Sequence, residues 1–157
     1  MNRNRLKALA HTAAECGRVD YLDSHLGDVA AAAARYAEAF VASQEAGVAG
    51  LLQDLGKYGH LFQRRLQGTE RGFDHWSAGA WAALSLYKQQ GIAAALAVQG
   101  HHIGLQKADP GSLRTMEMKK LAECHPLGLR LSESDPGKLR QLFDSDGLTF
   151  PEEDFPQ

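Results

Sequence analysis

The chain has 157 residues, of which 44% are hydrophobic and 23% charged, with a formal net charge of −2. Such a length builds one domain that buries roughly two-thirds of its unfolded surface without staples. The charge excludes a chain that grips nucleic acid over its whole surface, and no apolar run is long enough to span a bilayer.

The dominant apolar period is helical and no convincing β-branched alternation occurs, which predicts an all-α domain. A first helix is expected over 27–43, with Val29, Ala33, Tyr36, Ala37 and Phe40 on one face and Gly47 breaking it. A second begins near Val48 and runs through Leu51, Leu52, Asp54 and Leu55 to Gly56-Lys57. A short amphipathic helix follows, with Leu61, Phe62 and Leu66 inward, Gln63, Arg64 and Arg65 outward, and Gly68 as its stop. Asp74 reads as the N-cap of a helix over 75–90, buried through Trp76, Ala80, Trp81, Leu84 and Tyr87. Gly91 ends it, and an apolar helix over 92–100 delivers His101-His102 at its C-terminal end. Beyond Asp109-Pro110-Gly111 a helix is expected over 112–123, with Pro126 after it, and a short one over 136–143. Residues 1–148 read as the domain. Residues 149–157 are acidic, hold two prolines and read as a frayed tail.

Residues 1–5 are basic but lack an apolar signal core, so the expected location is the cytoplasm, with no membrane partner. Cys16 and Cys124 lie far apart, outside any CxxC pattern, and read as reduced core or surface residues.

The chemistry concentrates on one carboxylate. Asp54 sits in an apolar helical run, where an ionised group is costly unless a cation compensates it. His25, His75, His101 and His102 lie before and after it, three of the four in or beside expected helices. Imidazoles plus a carboxylate form a ligand set for borderline divalent metals: manganese, nickel, iron or zinc, with magnesium also admitted. Adjacent helical residues point about 100° apart, so His101 and His102 can face one centre only where a helix ends. The expectation is a site for one or two ions inside a helical bundle, with Asp54 as the shared ligand. His11, His60 and His125 read as satisfied core histidines or exposed ones. Lys57, with Arg64, Arg65 and Arg71, forms a local basic patch that reads either as a phosphate contact surface or as a solvated face.

The ordered set resembles a family. Ala10-His11-Thr12, His25, Gly50-Leu51-Leu52-Gln53-Asp54-Leu55-Gly56-Lys57-Tyr58, Phe62-Gln63-Arg64-Arg65-Leu66, Asp74-His75-Trp76-Ser77-Ala78-Gly79-Ala80 and Gly100-His101-His102 carry the likeness. It covers about Ala10 to Leu105. The chain resembles the HD superfamily of metal-dependent phosphohydrolases, and more narrowly the HD nuclease domain of the CRISPR-associated type I interference helicase-nuclease. The resemblance implies an HD-type helical bundle with a buried metal site between helices. It further implies a metal-dependent endonuclease for single-stranded DNA, partnered by a helicase domain or subunit and the interference complex of antiviral defence. Asp54 and Lys57 are then the catalytic positions, Lys57 facing phosphate, pairing with Asp54 or lying on the surface. One metal position takes His25, Gln53 (where the family has histidine), Asp54 and a late aspartate that Asp109, Asp144 and Asp146 do not supply. The other takes Asp54, His75, His101 and His102. The expected site is thus lopsided, its first position crippled, in a domain lacking the last family helix. Two other readings stand beside this one: an HD-type nucleotide phosphohydrolase, and a catalytically dead HD module with a docking role.

Overall fold

The computed structural model describes residues 6–12 and 17–151; residues 1–5, Cys16 and the tail residues 152–157 lie outside the described residues. The described chain is mostly helical, with 59% helix and 4% strand, which places it in the all-α class expected from its periodicity. The helices are α1 (Leu22–Ala37), α2 (Ser43–Leu52), α3 (His60–Leu66), α4 (Ser77–Tyr87), α5 (Ile92–Ile103), α6 (Pro110–Arg114), α7 (Met118–Glu123) and α8 (Pro136–Ser145). Short 3₁₀ turns follow α1 and α2, the second over Leu55–Tyr58. No helix among the described residues is long and apolar enough to cross a membrane.

Small residues set the packing. A Cβ on Gly50 would lie 2.7 Å from Ala30 Cα, so α1 and α2 approach at a distance only glycine permits. Gly79 of α4 packs in the same way against the Leu52 carbonyl of α2. Ala78, Ala80, Ala82 and Ala83 are buried all round α4, which makes it thin enough to sit among its neighbours. The buried Ser77 hydroxyl donates to Gln99 Oε1 at 3.1 Å and ties α4 to α5. That bond fixes the chain following His75 relative to the helix carrying His101-His102.

Several boundaries differ from expectation, each for a physical reason. Helix α1 starts at Leu22, because the Leu22/Leu26 pair is fully buried and an antiparallel bridge, Leu9 to Tyr21, fixes its entry. His25 therefore lies inside the first helix instead of before it. Helix α2 stops at Leu52, and Asp54 sits outside it at the head of the 3₁₀ turn, where the Lys57 N–H donates to the Asp54 carbonyl at 2.9 Å. Helix α4 begins at Ser77, so His75 precedes it. The N-cap is Trp76 and not Asp74, whose carboxylate lies two residues earlier and accepts the Trp76 and Ser77 N–H groups at 2.8 and 2.9 Å. The helix expected over 112–123 splits into α6 and α7, because Met116 and Met118 are both buried and a two-residue spacing cannot serve one helix face.

One feature lay outside the sequence reading altogether. Phe73–Asp74 (β1) pairs in parallel with Arg130–Leu131 (β2), Phe73 opposite Arg130 and Asp74 opposite Leu131. Beyond it the Ser132 N–H donates to the Asp74 carbonyl at 2.7 Å, the Leu61 N–H donates to the Ser132 carbonyl at 3.3 Å, and the Ser132 hydroxyl donates to the Gly56 carbonyl. This seam clamps the 3₁₀ turn headed by Asp54 against the strand that precedes His75. Phe150, expected in a frayed tail, is buried and stacks on Phe143 with ring centroids 4.3 Å apart.

Candidate metal centre

Asp54 is 4% exposed at the floor of a cleft of about 390 Å³. Gly56 allows this placement: its α-carbon sits against the His75 carbonyl, and no side chain would fit between them. His75 is thereby held beside the aspartate, while the last turn of α5 brings in His101 and His102.

The two carboxylate oxygens face different groups. On one side, Asp54 Oδ1 lies 3.5 Å from His75 Nε2 and 3.8 Å from His101 Nε2. His102 Nε2 lies 2.9 Å from His75 Nε2. One ligand atom from each of Asp54, His75, His101 and His102 falls within 4.8 Å of the others, so the four can hold a metal ion. Their chemistry fits one. The Nδ1–H of His101 donates to the Val98 carbonyl, which leaves its Nε2 lone pair for the centre, the usual arrangement for a ligating histidine. His75 Nδ1 is buried with no hydrogen-bond partner among the described residues, so only its Nε2 faces polar groups.

On the other side, Asp54 Oδ2 accepts from the Lys57 ammonium at 2.9 Å and lies 3.1 Å from His25 Nε2. Lys57 thus pairs with Asp54 and does not lie on the surface. In a 3₁₀ turn residues three apart eclipse, which stacks the two side chains. Lys57 is 6% exposed and lies over the Phe62 ring, 5.3 Å from its centroid. The Gln53 amide nitrogen lies 3.3 Å from His25 Nε2. The Oδ2 side is thus occupied by a lysine cation, an amide and one imidazole, whereas the Oδ1 side collects three imidazoles. His25 is brought to Asp54, but not into the cluster of four.

Titration follows this geometry. Burial favours the neutral acid at Asp54, but the His101 and His75 rings and the Lys57 ammonium outweigh it and hold the carboxyl far below its usual range. Burial opposes charge on His101, yet Asp54 and the Val98 carbonyl prevail and raise its pKa. His102 is lowered to about 4 by burial and by the neighbouring His101 and His75, so its ring stays neutral near neutral pH. His11 is lowered by partial burial and by Lys57 and His25.

Other histidines and cations sort differently. His125 is buried, bonded to Asp74 Oδ2 at 2.9 Å, and serves the core. His60 is mostly exposed near Glu133. The basic patch divides: Arg65 lines the cleft beside Lys57, while Arg64 pairs with Glu70 at 3.0 Å. Sequence reasoning gave no role to Phe62 as the wall behind Lys57. It also passed over Asp20, which lies 3.7 Å from His11 Nε2 and 3.9 Å from His25 Nδ1. The Ala10-His11-Thr12 motif was the available signal for the first half of that contact. Compared with protein-family models, with curated proteins and with solved structures, the chain matches none.

Proposed function

We propose that the cleft is the centre of a metal-dependent phosphodiesterase acting on single-stranded DNA, of the kind that serves as the nuclease domain of CRISPR interference beside a helicase partner. One observation carries the reading. Three imidazole nitrogens converge on the Oδ1 face of a buried aspartate, in an open cleft that also presents Lys57 and Arg65. A divalent transition metal (manganese, nickel, iron or zinc, with magnesium admitted) held by Asp54, His75, His101 and His102 supplies Lewis acidity and a nucleophile from water near neutral pH. The remaining work falls to the chain.

Asp54 holds its negative charge at any physiological pH, because His101, His75 and Lys57 outweigh the cost of its burial. Lys57, fixed between Asp54 and the Phe62 ring, keeps an ammonium at the cleft floor, where a phosphate oxygen gains charge during in-line displacement. Arg65, at the same cleft, offers a fork of donors to a neighbouring phosphate. Two cations at the cleft give a polyanion a local footing that the net charge of −2 does not.

The test is a cleavage assay with the metal-stripped protein reloaded separately with each of these ions. A labelled single-stranded oligonucleotide and a nucleoside triphosphate serve as substrates. The expected result is metal-dependent cutting of the oligonucleotide, abolished by Asp54→Asn and His102→Ala and slowed about 100-fold by Lys57→Ala. Hydrolysis of the nucleotide alone would move the assignment to a nucleotide phosphohydrolase. Inertness toward both, with metal bound, would leave a docking module.

A further inference from the structure

A second set of ligand-type side chains lies on the far side of His25. Asp20 Oδ2 sits between two imidazole nitrogens, 3.7 Å from His11 Nε2 and 3.9 Å from His25 Nδ1. One ligand atom from each of the three residues lies within 4.8 Å of the other two. These separations are too long for hydrogen bonds, whose N···O distances are about 2.7–3.2 Å. They are close to the edge of a coordination shell with bonds of about 2.0–2.2 Å, where ligand atoms stand roughly 3.4 Å apart.

The backbone holds the three in place. The Ala10 N–H donates to the Asp20 carbonyl and the Leu22 N–H to the Ala8 carbonyl, both at 2.9 Å, either side of the Leu9–Tyr21 bridge. Ala10 therefore stands opposite Asp20, and His11, the next residue, comes within reach of its carboxylate. The His25 N–H donates to the Tyr21 carbonyl at 3.0 Å, which sets the imidazole one helical turn above them. The rings of His11 and His25 meet edge to face, with centroids 5.1 Å apart.

His25 decides which side it serves. Its Nε2 stands 3.1 Å from the Asp54 carboxylate, within hydrogen-bond range, whereas its Nδ1 stands 3.9 Å from Asp20, outside it. Only Nε2 has a carboxylate within hydrogen-bond range, so Nε2 carries the proton and donates it to Asp54. A half-turn of the Gln53 amide presents its oxygen to the same N–H. The lone pair then lies on Nδ1, toward Asp20 and His11. Ligating histidines commonly donate their other ring N–H to a carboxylate in this way.

From this we infer that His11 Nε2, Asp20 and His25 Nδ1 form a second site for a borderline divalent cation such as zinc or cobalt, distinct from the Asp54 centre. Two imidazoles and one carboxylate select such ions over calcium or magnesium, and the exposed side of His11 leaves a position for water. An ion there lies across the His25 ring from Asp54, about 6 Å or more from that carboxylate when the metal–nitrogen bond is about 2.0–2.1 Å. That exceeds the roughly 3.5–4 Å of a catalytic metal pair. The ion acts as a clasp between residues 8–12 and the start of α1, at the rim of the cleft that His11 also lines.

The experiment titrates the metal-stripped full chain with Co²⁺, read by calorimetry and by the visible absorption of the bound ion. Wild-type protein, Asp20→Asn, His11→Ala and His102→Ala are compared, with circular dichroism as the control for folding. Two equivalents are expected in the wild type. Asp20→Asn and His11→Ala each remove one, or weaken it about 10- to 100-fold, and His102→Ala removes the other. A single equivalent that depends on Asp20 but survives His102→Ala supports this site while sinking the Asp54 centre. Unchanged stoichiometry and affinity in both Asp20→Asn and His11→Ala overturn the inference, as does a single equivalent lost in His102→Ala alone. Both substituted side chains are partly exposed, so each variant retains its core packing.

Discussion

Asp54 and Asp74 are both buried aspartates with histidine beside them, yet they are built for opposite ends. Asp74 is 1% exposed and consumed by its neighbours: Oδ1 accepts two backbone N–H groups and Oδ2 accepts the Nε2–H of His125. His125 Nδ1 in turn accepts the Leu127 N–H at 3.1 Å, so that ring is closed as well. Around Asp54 the imidazole nitrogens on the Oδ1 side stand at 3.5 and 3.8 Å, too far to donate. An aspartate next to a histidine is thus no mark of a site by itself. What separates the two is whether the lone pairs already have donors, or whether several converge on a common point facing a cleft.

The difference predicts which substitutions harm the fold and which harm the site. Asp74→Ala should have the largest effect, removing the acceptor of the Trp76 and Ser77 N–H groups and leaving the His125 ring without its own. A loss of about 3–5 kcal/mol is expected, or roughly 10 °C in the melting midpoint of the metal-free protein. A shift under about 2 °C would show that the network is not structural. His102→Ala should come next and act the other way, removing the metal equivalent at the Asp54 centre with little change in the metal-free melt. A large drop in that melt would place His102 with His125, as part of the core.

Much of this contrast was legible before folding, but not all. Asp54, His75 and His101-His102 could be picked out as polar ligand types in apolar surroundings, and that context is what makes them costly to bury and so worth explaining. The secondary structure beneath them was less legible. Asp54 heads a 3₁₀ turn whose Gly56 packs on the His75 backbone, a contact between residues far apart in sequence. The roles of His125 and Ser132 were hidden for the same reason: two-residue strands have no period, so nothing in the sequence announced that β2 would pair with the strand before His75. His11 and Asp20 were passed over because their closeness depends on a single bridge, Leu9 to Tyr21.

The pH dependence of metal binding sharpens the comparison at a smaller scale. His101 must lose its proton to ligate, and its pKa is raised, so a proton leaves on binding at any pH below that value. Apparent affinity should then fall about tenfold per pH unit as pH drops through that range. His102, lowered to about 4, adds no second proton until far more acid conditions. A steeper slope between about pH 5 and pH 8 in the wild type than in His102→Ala would mean that His102 is charged in the metal-free state.

Glu133 supplies the third and mildest case. It is 7% exposed and accepts from Lys138 Nζ at 2.6 Å and from the Ser134 N–H at 3.1 Å, with His60 nearby. Burial favours its neutral form, but Lys138, the Asp135 backbone N–H and His60 outweigh that and lower its pKa. A carboxylate lowered by folding contributes stability above its unfolded pKa and loses it as pH falls through the folded one. Because Lys138 is half exposed, solvent and salt screen the pair, and Lys138→Met should cost under about 1 kcal/mol at neutral pH. Most of that cost should vanish once Glu133 is protonated. Glu133 thus stands between the other two: it is satisfied like Asp74, but one of its donors is open to water. Substituting Lys138 therefore tests whether burial of the acid or enclosure of its partners sets the size of the effect. A loss above about 2 kcal/mol would favour burial of the acid, and a small one would favour enclosure, the property that also makes Asp74 the costliest of the three to disturb.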